Sequence, residues 1–109
     1  MDVKLRVLVS LERVDGEARW VCECVEYDIA SEGRSLSEAK REFEETLYAL
    51  HEYWQLHGLA PFSTVPPGPA EREHRWLDGA DFGDDVQPSA TIPPWMAEAL
   101  SAQSFRFAT

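Results

Sequence analysis

One amphipathic stretch constrains this chain more than any other, and it runs from Ser35 to Gly58. Wound at about 100° per residue, Leu36, Phe43, Leu47 and Trp54 fall close to one line. Ala39, Leu50 and His57 lie beside that line, while Glu38, Arg41, Glu45 and Glu52 lie opposite. Ser35 with Glu38 three residues later reads as a capping box, each side chain meeting the other's orphan backbone donor. Gly58 supplies the left-handed conformation that ends many helices, and Pro61 prevents resumption. A helix of this length cannot bury its stripe alone. The chain before it must supply the other half of a core.

That earlier segment reads as sheet. Val3, Leu5, Val7, Val9 and Leu11 alternate with Lys4, Arg6, Ser10 and Glu12, and five apolar residues at period two signal a strand. Asp15-Gly16 reads as a hairpin turn, because these residues tolerate positive φ. Trp20, Cys22 and Cys24 share the next face and are placed inward as the apolar set. A short third strand is expected over Asp28 to Glu32. Helix packing covers one face of such a sheet. The other face carries Arg6, Leu8, Val21, Glu23 and Val25, too apolar a set to stand in water. A fourth strand, the C-terminal half or a second copy of the chain should cover it.

After Gly58 the character changes. All 7 prolines of the chain fall there. Pro61, Pro66, Pro67 and Pro69 mark a connector with little regular structure. Glu71 to Leu77 reads as either a short strand or a helical turn. Asp78, Asp81, Asp84 and Asp85 form an acidic tract. A short helix is expected near 93–101, opened by Pro93-Pro94. Phe105 and Phe107 alternate and would add a strand edge. Trp76 and Trp95 have two readings: packing on the uncovered sheet face, or an arm reaching to a partner or second subunit.

Charge narrows the partners. The 109 residues carry 20 acidic and 10 basic side chains, a formal charge of -10. Both halves are acidic. That opposes phosphate binding and favours a basic partner. Only Arg72, Arg75 and Arg106 would meet phosphates in the C-terminal half, so DNA binding is disfavoured. No run approaches the roughly 20 apolar residues of a membrane span. Met1-Asp2-Val3-Lys4 leads straight into alternation, so no secretory leader is expected. Cys22 and Cys24 read as buried thiols in a reducing, cytoplasmic setting.

Catalytic patterns are wanting. His51 and His57 lie six apart, about 120° around a helix, so they do not share a metal as i and i+4 histidines can. His57 suits the negative helix terminus, and His51 borders the stripe. The aspartate tract lacks the order of a calcium loop. No nucleophile elbow, P-loop or dinucleotide fingerprint occurs. The reading is a non-enzyme with no catalytic residue, cofactor or metal.

Taken in order, the N-terminal half resembles a family. Lys4-Leu5-Arg6-Val7-Leu8-Val9 precedes a glycine-bearing turn. Trp20-Val21-Cys22-Glu23-Cys24-Val25-Glu26-Tyr27 follows, then Ser31-Glu32-Gly33, then Ser35-Leu36-Ser37-Glu38-Ala39 at the helix start. This series resembles the HicB-like antitoxins over roughly residues 3 to 57. The resemblance implies a partial ribonuclease H-like fold of β-β-β-α-β order. No acidic residue stands on the inward face of the first strand, where a true ribonuclease H carries a metal-binding aspartate. The resemblance also implies binding and neutralisation of a small basic ribonuclease toxin, HicA. Val25 stands where the family usually has proline. Many members continue into a DNA-binding module, which this proline-rich, acidic half does not resemble.

The expectation is therefore an α+β fold: a three- to four-stranded antiparallel sheet with one long helix on one face. It comprises a HicB-like domain over 1–58 and a Pro-rich acidic extension over 59–109. The expected function is toxin neutralisation by direct binding, as a homodimer or higher homo-oligomer. Trp76, Asp78, Asp81, Asp84, Asp85 and Trp95 are the expected partner-binding residues. The alternative is an orphan HicB-like module that self-associates and has no toxin.

Overall fold

The computed structural model describes residues 3–82, 89, 92–101 and 104–108. Strands β1 (Val7–Val14) and β2 (Glu17–Cys24) form a hairpin in which Val14 faces Glu17. Asp15 and Gly16 both take positive φ at its tip, as the Asp-Gly pair predicts. β3 (Ala30–Gly33) pairs antiparallel with β2, with Trp20 opposite Gly33. It begins two residues later than the sequence pattern places it.

Helix α1 spans Leu36–Leu56. The Ser35 hydroxyl accepts the Glu38 amide at 3.1 Å, closing the N-terminal cap. At the other end Gly58 sits at φ 63°, and the Leu59 amide returns to the Trp54 carbonyl at 2.8 Å. That is a Schellman closure, which satisfies carbonyls the helix leaves open. Ala39, Phe43, Leu47 and Trp54 are buried, and Leu36 and Leu50 are packed beside them. Their sheet partners are Val7, Val9, Cys22 and Cys24, all fully buried. The apolar stripe and the inward strand faces meet as their periodicities require.

After α1, a short helix and a strand over 105–107 fall where the sequence pattern places them, while the sheet that this strand joins departs from it. α2 (Glu71–Leu77) resolves the open strand-or-helix reading as helix. β4 (Ala80–Asp81), α3 (Pro94–Ala99) and β5 (Phe105–Phe107) complete the chain. Among the described residues the sheet has five strands in the order β3-β2-β1-β5-β4. β5 runs parallel to β1, with Val7 opposite Phe105, while the other pairs are antiparallel. The sheet is thus mixed and five-stranded, not a three- to four-stranded antiparallel one. The reason is topological: β5 returns after α3 and enters beside β1 in the same direction. Phe105 and Phe107 therefore lie in an inner strand, with β4 outside it. Residues from both sides of Gly58 share this sheet.

The connector is tied down by the strands it passes. Tyr27 bridges to Pro67, and the Gly68 amide donates to the Glu26 carbonyl at 3.1 Å. Phe62 stacks on Tyr27 at 4.1 Å and leans on Trp54 at 5.0 Å. The Trp54 indole donates to the Thr64 hydroxyl at 2.7 Å. A Cβ on Gly68 would lie 2.2 Å from the Val25 carbonyl oxygen, a backbone atom that cannot step aside. Gly68→Ala is expected to cost about 2 kcal/mol, as overpacking does. A chemical denaturation midpoint equal to the parent's would contradict that close approach.

Cys22 and Cys24 are free and fully buried. Burial pushes their thiols up to about 12 and about 11 respectively. Raised thiol values favour the neutral form in the folded state. This contribution is fully present below the ordinary value of 9.0 and is lost as pH rises through 11 to 12. Labelling by a thiol reagent at pH 8 should track global unfolding in denaturant, since attack needs an exposed thiolate. Prompt labelling of the native chain would refute the burial.

Candidate functional site

The sheet face turned away from α1 carries a layer of arginines, carboxylates and one tryptophan. Leu8 and Val25 are buried there beneath Trp76 of α2. The C-terminal half therefore covers part of the face that needed covering. Trp76 lies between two cations, 5.8 Å from the Arg6 guanidinium carbon and 5.3 Å from that of Arg106.

Arg72 is the hub of this layer. Its side chain is 8% exposed. It donates to Glu23 at 3.2 Å, to the Cys24 carbonyl at 3.0 Å and to Asp28 at 3.1 Å. Arg75 reaches the other oxygen of Glu23 at 3.1 Å. Arg6 pairs with Glu26 and with Glu73. The Glu73 bonds hold the Arg6 guanidinium above its ordinary range, and Arg6 in turn holds the Glu73 carboxyl below its own. Arg106 donates to the Trp76 carbonyl at 2.8 Å and the Gly79 carbonyl at 2.9 Å, where α2 ends. A cation suits that terminus. All three C-terminal arginines are thus engaged by the chain's own groups.

The residues expected to bind a partner do not form one patch. Trp76 is buried at 9% exposure against the second face. Asp78 follows it at the surface, and Asp81 on β4 is 79% exposed while pairing with Arg106 at 3.3 Å. Asp84 and Asp85 lie outside the described residues. Trp95 belongs to the opposite layer, where it stacks on His51 at 4.1 Å and packs against the α1 core. The sheet separates the two tryptophans.

A concave site lies on the α1 side. Arg41, Glu44, Glu45 and Tyr48 form one wall of a cavity of about 530 Å³. Ser89, Ile92, Pro93 and Met96 form the other. Glu44 is 4% exposed. Its two carboxylate oxygens accept the Ser89 hydroxyl at 2.6 Å and the Ser89 amide at 2.9 Å. Glu52 raises the Tyr48 phenol, through its charge first and its hydrogen bond second. Sequence reasoning missed Glu44 as a site residue. It stands next to Phe43 on the buried side of α1, and its partner is 45 residues away.

Among the described residues, no group of three His, Cys, Asp or Glu side chains is placed to hold a metal ion. Nor, among the described residues, is any helix long and apolar enough to cross a membrane. The fold and its surfaces define an α+β protein with one long helix on a five-stranded mixed sheet. No family model matches the chain, and no significant match is found among curated proteins or solved structures.

Proposed function

We propose that this chain is a non-catalytic, HicB-like binding protein that neutralises a small basic ribonuclease by direct contact. The observation that carries this reading is the pairing of four arginines on the sheet face away from α1. Arg72, Arg75 and Arg106 are held by Glu23, Asp28, Asp81 and backbone carbonyls, as Arg6 is by Glu26 and Glu73. The acidic surplus of a chain charged -10 is what remains to meet a partner. Glu42, Glu45, Glu52 and Glu71 are among the exposed carboxylates. Such a surface attracts a basic protein and repels nucleic acid. The β-β-β-α order with its Ser35 cap supports the family reading on which the ribonuclease partner rests.

The test is co-expression with a small basic protein encoded beside this chain. Rescue of growth, with recovery of the complex on pull-down, is expected. Continued toxicity, with no complex at moderate salt, would end this reading.

A second reading has one observation of its own. The outer ridge of α1 exposes Tyr48, Tyr53 and Leu56, the last at 81%. Large exposed apolar side chains on one helix favour self-association as an orphan module. Light scattering that reports a concentration-independent monomer would remove it.

A further inference from the structure

We propose that the cavity beside α1 receives an arginine side chain presented by a basic protein partner. This inference rests on the binding reading above and names the part of the partner that is held. The cavity's volume of about 530 Å³ falls within the range of built ligand sites. Among the described residues its charged lining is two carboxylates against one guanidinium, Glu44 and Glu45 against Arg41. Glu52 adds a further negative charge beside Tyr48. A cation is therefore favoured over an anion, and the net charge of the chain points the same way.

The shape selects among cations. Ser89 anchors both oxygens of Glu44, so that buried carboxylate is fixed in orientation. One lone pair on each oxygen is left by these two bonds. Tyr48 is 45% exposed, and its aromatic ring belongs to the same wall. A planar guanidinium stacks on such a ring and presents a fork to a carboxylate, which a compact ammonium does not. Ile92 and Pro93 on the facing wall suit the aliphatic stem below the charged head.

The test uses the full chain and isotope-edited NMR of the Ile92 and Met96 methyl groups. The probe is N-acetyl-L-arginine N-methylamide, and its neutral counterpart is the citrulline compound. Saturable movement of both methyls with the arginine probe is expected. The citrulline compound should bind about fivefold more weakly, the loss of one partly solvated ion pair. Glu45→Gln, an exposed change, should reduce arginine binding towards the citrulline level. Unmoved methyls, equal binding of both compounds, or equal movement of the core methyl of Ile29 would overturn the proposal. Tighter binding of free L-arginine, whose carboxylate would meet Arg41, would also overturn it by making a free amino acid the occupant. Growth rescue reads the antitoxin role and this titration reads the cavity, so each can fail alone.

Discussion

Phe43→Ala is expected to destabilise the chain by about 4 kcal/mol, read from the midpoint of urea unfolding followed by circular dichroism. Phe43 is fully buried at the centre of the α1 stripe, against the face that carries Val7, Val9 and Cys22. Removing its ring forfeits the transfer energy of a large aromatic and leaves a void. Helix and sheet are each held by their own hydrogen bonds, so they cannot close over that void. Domains of this size are stable by about 5–15 kcal/mol in total, so the loss would approach the whole margin of a marginal chain. Tyr53→Ala on the same helix is the comparison, because Tyr53 is 49% exposed. It should change stability by no more than about 0.5 kcal/mol. Equal effects from the two substitutions would mean that α1 does not lie on the sheet through this stripe.

Arg72→Ala should cost about 3–5 kcal/mol, although the residue is charged and lies outside the main core. Its guanidinium joins Glu23, Asp28 and the Cys24 carbonyl within one half-buried layer. Truncation strips the Cys24 carbonyl and one Glu23 oxygen of their donor where α2 still shields them from water, while Asp28, 49% exposed, regains solvent. A buried acceptor left without its donor costs more than the hydrogen bond contributes. Arg72→Lys should recover only part of the loss, since one ammonium cannot span acceptors that the guanidinium meets through three nitrogens. The measurement is again the denaturation midpoint. A loss below about 1 kcal/mol would place Arg72 with ordinary surface ion pairs.

The parts of the fold that were legible in the sequence are those with local causes. Val7 and Val9 declared their strand by alternation, and Asp15-Gly16 declared its turn by backbone chemistry. Ser35, Glu38 and Gly58 marked both ends of α1, and the stripe between them named its buried face. The missing pieces depend on residues far apart in the chain. Phe105 and Phe107 announced a strand, but nothing local says that it lies parallel to β1 or that β4 flanks it. Arg72 looked like a surface cation, because its burial depends on Glu23, 49 positions earlier. Glu44 looked like any helix carboxylate, because Ser89 alone reveals its environment. Trp76 and Trp95 were read together as aromatics of one C-terminal half, and the intervening sheet puts them on different layers.

The placement of β5 has a consequence for how the chain is made. Synthesis delivers β1, β2, β3 and α1 before β5, and their contacts lie close together along the polypeptide. One side of β1 has no neighbour until residues 105–107 emerge, roughly a hundred peptide bonds later. During that interval the nascent chain carries an open ribbon edge able to pair with other ribbons. The slow event in acquiring the native state should be the docking of β5 beside β1, and growth conditions that stall translation before residue 105 should be those that favour clumping.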